Sequence, residues 1–333
     1  MTKRMRLSWR KMIQGRLGKA TYRTFFRIDG GEYRPVVTPN PYVADPFLFV
    51  RDGVAYLFYE TLKAKKGVLG CFRRENGAWK DLGVVLEEPW HLSYPQVFEE
   101  DGKVFMIPES CDFRGGFSRG AVRLYEPADF PFGWQETAKL IEEPFSDSTL
   151  YRRDGRYYLS CDREHPGESA ELWQSLSLTG PWTRHPQSAN HSQSKRLRRC
   201  GGAFQERDGR LFRIAQDCNG AYGKRLFKVP VEQLTPTEYR EGPAELFHTG
   251  MRHTYNCAQT PEGFMEVVDE LSYRYEFDVH TVLKALAIPF QLMFRFNRRA
   301  ADGHSGWLFQ LFGIQFIHGH PVGRPAFVQI RIK

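Results

Sequence analysis

Apolar residues crowd both sides of an Asp-Gly pair in ADPFLFVRDGVAYLFYE (44–60). Asp-Gly supplies the positive φ angles of a tight two-residue turn, and the flanking Phe, Leu, Val and Tyr suit strands, so the stretch predicts a β-hairpin. The pattern returns in YPQVFEEDGKVFMIPES (94–110), DSTLYRRDGRYYLSCD (147–162), GGAFQERDGRLFRIAQD (201–217) and YNCAQTPEGFMEVVDE (255–270). The turns fall at Asp52-Gly53, Asp101-Gly102, Asp154-Gly155, Asp208-Gly209 and Glu262-Gly263, separated by 49, 53, 54 and 54 residues. Between hairpins, segments such as GVLGCFRR and WKDLGVVL add a looser strand pair, and Trp79 and Trp134 each precede a Glu-Glu-Pro by eight residues. Self-similarity at this pitch, with about four short strands per unit, describes the blades of a β-propeller. A solenoid of stacked β-units is the competing architecture, but its repeats are usually shorter.

The expected fold is therefore all-β, a five-bladed β-propeller over 31–280. It is flanked by a basic N-terminal extension (1–30) and an apolar, aromatic C-terminal extension (281–333). GEYRPVV (31–37) is expected to supply the outer strand of the last blade and close the ring. Trp79, Trp134 and Trp182 recur at outer-strand positions and are assigned to packing between blades.

The repeat also sets a register. Seven residues before each turn stand Asp45, Tyr94, Asp147, Gly201 and Tyr255; eight residues after each stand Glu60, Glu109, Asp162, Gln216 and Glu270. Both sets lie at the open end of their hairpins, and a propeller turns that end of every inner hairpin toward one mouth of the central channel. Six acids from distant parts of the chain are thus expected around one opening. Like charges in a partly enclosed site split their pKa values, which is what acid–base chemistry at an anomeric carbon uses. The alternative is that strand-end acids accept backbone N–H bonds or pair with arginines.

Composition narrows the function classes. The 333 residues carry 41% apolar and 14% aromatic side chains and a formal net charge of +8. That excess is modest and lies mostly at the ends and in one loop, so nucleic acid is not the expected partner and an anionic surface or phosphate-bearing ligand is. Six widely spaced cysteines, with no Cys-x-x-Cys, read as reduced buried thiols. MTKRMRLSWRKMIQGRLGK lacks an apolar signal core, and no apolar run reaches the ~18 residues of a spanning helix, so a cytoplasmic location is expected. VLKALAIPFQLMFRFNRR (282–299) and GWLFQLFGIQFIHG (306–319), with the basic N-terminus, suit either the inner membrane face or packing on protein.

ADPFLF (44–49) and SDSTLY (146–151) resemble the inner strands of five-bladed family 43 glycoside hydrolases. The wider pattern, through SYPQVFEEDGKVFMIPES, GGAFQERDGRLFRIAQDC, AYG and HTYN…VVDE, resembles the N-terminal domain of plant glucosamine inositolphosphorylceramide transferases and stand-alone bacterial proteins that share it. The resemblance covers roughly 40–272. By likeness to the hydrolases it implies that Asp45 is a general base and that Asp147 tunes the acid and orients substrate. The hydrolases take their acid from the fourth blade, whereas RRCGGAF (198–204) has none there; Glu241-Gly242-Pro243 lies too far along the chain. Glu109, Asp162 or Asp217 would have to replace it, or the leaving group needs no proton. In the plant proteins the recognised transferase chemistry belongs to a separate C-terminal domain.

An activated donor with a phosphate leaving group needs cations, and Arg199, Arg213 and the polar, basic loop 183–199 are candidates. His253 and Asn256 are candidates for sugar hydroxyls, and Trp90, His91 and Tyr94 for a sugar's apolar face. Three readings follow: a glycosyltransferase of cell-envelope glycan or glycolipid synthesis, a glycosidase on furanosides or oligosaccharides, and a non-catalytic glycan-binding propeller. The candidate catalytic set is Asp45, Asp147 and Glu109. The substrate-binding set is Glu60, Tyr94, Asp162, Arg199, Arg213, Gln216, Asp217, His253, Asn256 and Glu270. Against the first reading, the chain has no Gly-rich phosphate loop, no Asp-x-Asp and no nucleotide-binding α/β half; no cofactor is expected, and with no calcium loop present no metal is expected either.

Overall fold

The computed structural model describes residues 18–112, 119–163, 169–188, 197–217 and 223–275. The basic stretch before residue 18, Cys218 and both apolar C-terminal segments lie outside them. Within them the chain forms five antiparallel sheets. β1 (Gly18–Ile28) and β2 (Arg34–Pro35) precede the first blade, which is β3 (Ala44–Arg51), β4 (Val54–Lys63), β5 (Lys66–Glu75) and β6 (Ala78–Leu86). The second contains β7 (His91–Glu100), β8 (Lys103–Asp112), β9 (Arg119–Gly120), β10 (Val122–Asp129) and β11 (Phe132–Ile141). The third is β12 (Ser146–Arg153), β13 (Arg156–Arg163), β14 (Ser169–Ser175) and β15 (Thr183–Arg184). The fourth is β16 (Gln205–Arg207), β17 (Arg210–Asp217), β18 (Arg225–Leu234), β19 (Tyr239–Glu241) and β20 (Glu245–His248). β21 (Tyr255–Thr260) and β22 (Gly263–Tyr275) complete the fifth with β1 and β2, in the order β2-β1-β22-β21.

The fifth blade joins the two ends of the propeller, so the ring closes through backbone hydrogen bonds. β1 runs antiparallel to β22 along its whole length, from Gly18↔Tyr275 to Ile28↔Met265. This moves the propeller's start from residue 31 to residue 18. The shift has a sequence reason: in Thr21–Ile28 the residues at 22, 24 and 26 are buried and alternate with the less buried Thr21, Arg23, Phe25 and Arg27, a strand pattern inside an apparently basic tail. GEYRPVV contributes only the two-residue β2 outside β1.

Four turns have the expected chemistry. Asp52, Asp101, Asp154 and Asp208 sit at φ of 48–52° or close to it, each followed by a positive-φ glycine, the primed turn that matches strand twist. The core lies in the seams between sheets. Phe49, Phe58 and Val97 pack with Met106, Tyr125 and Trp134 between blades one and two. Phe26, Leu57, Tyr59, Phe72 and Val267 pack between blades five and one, with Trp79 edge-on to Phe26. Trp182 packs against the cluster of blades two and three. No disulfide joins the described cysteines, of which Cys71, Cys111, Cys161 and Cys200 are buried.

If β1 closes the ring, Phe26→Ala removes a buried ring from the closing seam and lowers unfolding free energy by about 3–5 kcal/mol in chemical denaturation. Phe132→Ala, at a side chain left largely exposed, changes it by about 0.5 kcal/mol or less. Equal effects would place β1 outside the cooperative unit.

Candidate functional site

The inner strands of the first three blades share one irregularity. Ala44 pairs with Glu60, then Phe47 with Phe58; Ser93 with Glu109, then Gln96 with Ile107; Ser146 with Asp162, then Thr149 with Ser160. Each inner strand thus spends three steps against its partner's two, which is a β-bulge. The bulged residues Asp45, Tyr94 and Asp147 take φ of 48°, 49° and 45°. Left-handed backbone costs a non-glycine residue about 1–2 kcal/mol. It also re-aims the side chain from the blade face toward the axis. In the fourth blade the count falls on Gly201; its neighbour Gly202 is the one that donates the matching N–H, and a Cβ there would lie 1.8 Å from the Tyr255 carbonyl oxygen.

The bulges free backbone N–H groups, and side chains of neighbouring blades accept them. Asp45 N–H donates to Asp269 Oδ2 at 3.0 Å, Tyr94 N–H to Asp45 Oδ2 at 3.3 Å, and Asp147 N–H to Glu109 Oε2 at 3.0 Å. Gly202 N–H donates to the Tyr94 hydroxyl at 2.7 Å, and Ala203 N–H to Asn256 Oδ1 at 2.9 Å. Blades five, one, two, three and four are linked in a circle by these contacts and by Gln216 Nε2, which donates to Asp147 Oδ2 at 2.8 Å. Asp45, Glu109 and Asp269 thus hold backbone of the neighbouring blade, and together with Asp147 they lie close enough to act on the charge of Glu60.

Their convergence appears in the electrostatics. Glu60 is fully buried, and its pKa is raised well above the usual carboxylate range by burial and by the charges of Asp45, Glu109, Asp147 and Asp269. Asp147 is raised as well: burial, with Glu109 and Asp45, outweighs the Arg199 guanidinium, whose Nε donates to Asp147 Oδ2 at 2.5 Å. Arg199 also lies 3.6 Å from Glu109 Oε2. His91 Nδ1 accepts the Gly67 N–H at 3.0 Å, which leaves Nε2 facing Glu60 Oε1 at 3.5 Å; burial lowers its pKa.

On the other side His253 sits between two acids, with Nε2 at 3.3 Å from Asp45 Oδ1 and Nδ1 at 2.7 Å from Asp269 Oδ2. Burial opposes its charge, but Asp269 and Asp45 win and lift its pKa to about 9. Thr254 donates to Asp45 Oδ1 at 2.6 Å, so both oxygens of Asp45 are fixed. The ligand atoms of Asp45, His253 and Asp269 lie within 4.8 Å of one another, a spacing able to hold a cation. The proton on His253 competes with one, because a doubly protonated imidazole has no lone pair to offer.

Several expected site residues do other work. Arg213 is completely buried; its Nε donates to Glu241 Oε1 at 2.7 Å and its Nη1 to the Leu197 carbonyl at 3.0 Å. It braces the loop bearing Arg198 and Arg199 and does not reach the mouth. Asp217 is buried against Arg225 at 2.9 Å, on the strand face opposite Gln216. Asp162 is capped by Arg198 at 2.7 Å. Tyr94 is buried, with its hydroxyl 2.9 Å from Thr149 Oγ1, and Asn256 also donates to the Pro46 carbonyl; both tie blades together. Trp90 is half-buried beneath the Arg123 guanidinium, 4.3 Å from its ring centre.

Glu270 is a register error. In the fifth hairpin Thr260 pairs with Gly263, so the turn is Pro261-Glu262 and starts one residue before the Glu-Gly pair. Every count moves by one: Thr254 and Asp269 face the mouth, while Glu270 turns outward to Arg252 at 3.4 Å. The proline was the available signal. Tyr42 was also missed. It stands edge-on to Tyr22 at 5.6 Å, and burial with the charges of Glu60 and Asp45 raises its pKa. It precedes the repeat, and so carried no register position.

Among known sequences, the profile of the family described as Glucosamine inositolphosphorylceramide transferase 1, N-terminal, matches residues 31–261. A protein of that name, Glucosamine inositolphosphorylceramide transferase 1, from Oryza sativa subsp. japonica is 37% identical over 218 residues, covering 62% of this chain and 28% of that protein. Its Arabidopsis thaliana counterpart is 37% identical over 215 residues, with 61% and 27% coverage. The chain therefore spans little more than a quarter of these relatives' length. Among solved structures, a family 117 glycoside hydrolase from Zobellia galactanivorans shares the fold, with a TM-score of 0.50 at 11% identity over 79% of this chain and 92% of that one.

His253 makes the site's charge measurable through stability. Its folded pKa of about 9 stands above the ordinary 6.5, so its contribution is fully present below pH ~6.5 and is lost as pH rises through ~9. The loss amounts to about 3 kcal/mol. Glu60 and Asp147, also raised, act with the same sign from lower pH. Urea midpoints measured between pH 6 and 9.5 are expected to fall more steeply for the wild type than for His253→Gln. Parallel curves would mean that His253 is not held as an imidazolium.

Proposed function

Because the chain belongs to the family of the glucosamine inositolphosphorylceramide transferase 1 N-terminal domain, we propose that its mouth binds a carbohydrate and transfers a glycosyl group from a donor whose leaving group is a phosphate. One observation carries the reading. The strand leading into the fourth blade carries no acid, and just before it the Arg199 guanidinium is bonded to Asp147 and lies 3.6 Å from Glu109. A departing alkoxide needs a proton; a departing phosphate needs positive charge. Asp45, fixed by Thr254, His253 and the Tyr94 N–H, accepts the proton of the attacking hydroxyl. Glu60 and Asp147, held toward their protonated forms, hydrogen-bond the sugar without adding charge.

A second reading has its own support. Asp45, Glu109 and Asp269 each accept a backbone N–H, a use that a glycan-binding propeller without chemistry would equally require. Purified protein incubated with a panel of nucleotide sugars, and separately with aryl furanosides, distinguishes the two. The expected result is nucleotide release that falls at least ~100-fold in Asp45→Asn, the size of effect typical of a lost general base, and falls comparably in Arg199→Gln. Phenol release without nucleotide release would replace transfer by hydrolysis. Silence in both assays with retained glycan binding would leave the binding module.

A further inference from the structure

A groove of about 710 Å³ lies beside the mouth, between the edge of β1 and residues 35–43. Both ends of that segment are tied to β1: Val36 N–H donates to the Thr24 carbonyl at 2.9 Å and Val43 N–H to that of Tyr22 at 3.0 Å. Between these points Pro39 and Pro41 offer no N–H, so the chain cannot continue the ladder, although the Thr21 hydroxyl still donates to the Pro41 carbonyl. Contacts with the first blade hold residues 38–40 away. Thr38 Oγ1 donates to Asp81 Oδ2 at 3.1 Å, and Asn40 Nδ2 to Thr61 Oγ1 at 2.9 Å. The groove is therefore propped open by hydrogen bonds, and its volume falls within the ~300–1,000 Å³ usual for small-ligand pockets.

Its lining mixes hydroxyl and amide groups (Thr21, Thr38, Asn40, Ser272) and the Arg23 guanidinium with valine and proline C–H surface, and no carboxylate lines it. That mixture matches a polyol, whose rings present hydroxyl edges and apolar faces. The groove also adjoins the reactive groups. Tyr22 lines it and lies 4.5 Å from the His253 ring. Val43 lines it two residues before Asp45, and Asn40 reaches Thr61, the neighbour of Glu60.

We propose that this groove is a second glycan subsite, taking the sugar unit next to the one held at the mouth, so that the natural ligand is an oligosaccharide or a glycan with at least two sugars. The proposal rests on the carbohydrate reading of the mouth. Tyr22 and Tyr42 form the wall between the two positions, and a chain passing Tyr42 keeps one ring beside Asp45 and the next between Thr38 and Ser272.

The test is binding of the full chain to an array of immobilised mono- to hexasaccharides, with dissociation constants measured in solution for the hits. The expected result is affinity at least tenfold higher for oligosaccharides than for the matching monosaccharide. Ser272→Trp and Val37→Trp, which add bulk from opposite walls, are each expected to abolish that advantage with an unchanged unfolding midpoint. A chain-length advantage that survives both fillings, or none in the wild type, overturns the subsite. Nucleotide release by the wild type reports separately on the mouth: if release is present and the length effect absent, the subsite alone is wrong; if both are absent, both readings fall.

Discussion

The hydrogen bond from a bulged backbone N–H to a carboxylate of the neighbouring blade is the interaction on which the site depends. Three inner strands carry one extra residue, and that residue adopts a left-handed conformation disfavoured for aspartate and tyrosine alike. The strain is tolerated because each liberated N–H meets a buried acceptor, and hydrogen bonds to charged groups contribute about 1.5–3 kcal/mol each. The same bond orders both partners. It fixes the carboxylate and turns the bulged side chain to the axis, so one device builds both the ring's inner seam and its chemistry.

Gathering acids in this way is unfavourable without compensation, and the two sides of the mouth compensate differently. Around Asp45 and Asp269 the answer is a buried imidazolium, His253, touching both. Around Asp147 and Glu109 it is Arg199, supported from behind by Arg213, whose ion pair with Glu241 is wholly buried. Glu60 has no guanidinium partner among the contacts described and responds by raising its pKa. The site is thereby divided into a carboxylate, Asp45, fixed on one side and a largely buried guanidinium, Arg199, paired with two acids on the other.

Much of this was legible in the sequence because the Asp-Gly turns set the count. Wherever the turn was Asp-Gly, the residue eight positions on is buried within the inner hairpin's open end, as Glu60, Glu109, Asp162 and Gln216 are. In the fifth hairpin the real turn, Pro261-Glu262, starts one residue earlier, and in a structure of period two a slip of one exchanges inside for outside; hence Glu270 for Asp269. The bulges were not legible, since nothing local marks Tyr94 as left-handed. Arg213 was assigned by chemistry alone, and its depth depends on Glu241 and Tyr239, which the repeat does not align with it. The closing strand β1 was hidden because Arg23 and Arg27 made it read as part of the basic tail, although Tyr22, Thr24 and Phe26 keep the buried alternation of a strand.

The claim that side chains far apart in sequence meet at one point is tested most directly at the His253 ring, which touches acids from the first and last blades. Imidazole nitrogen resonances of His253, followed by NMR against pH, give its titration midpoint without reference to folding or activity. The account requires a midpoint near 9 that drops on Asp45→Asn. A midpoint at or below the ordinary 6.5, unmoved by that substitution, would show that the two carboxylates do not share the imidazole.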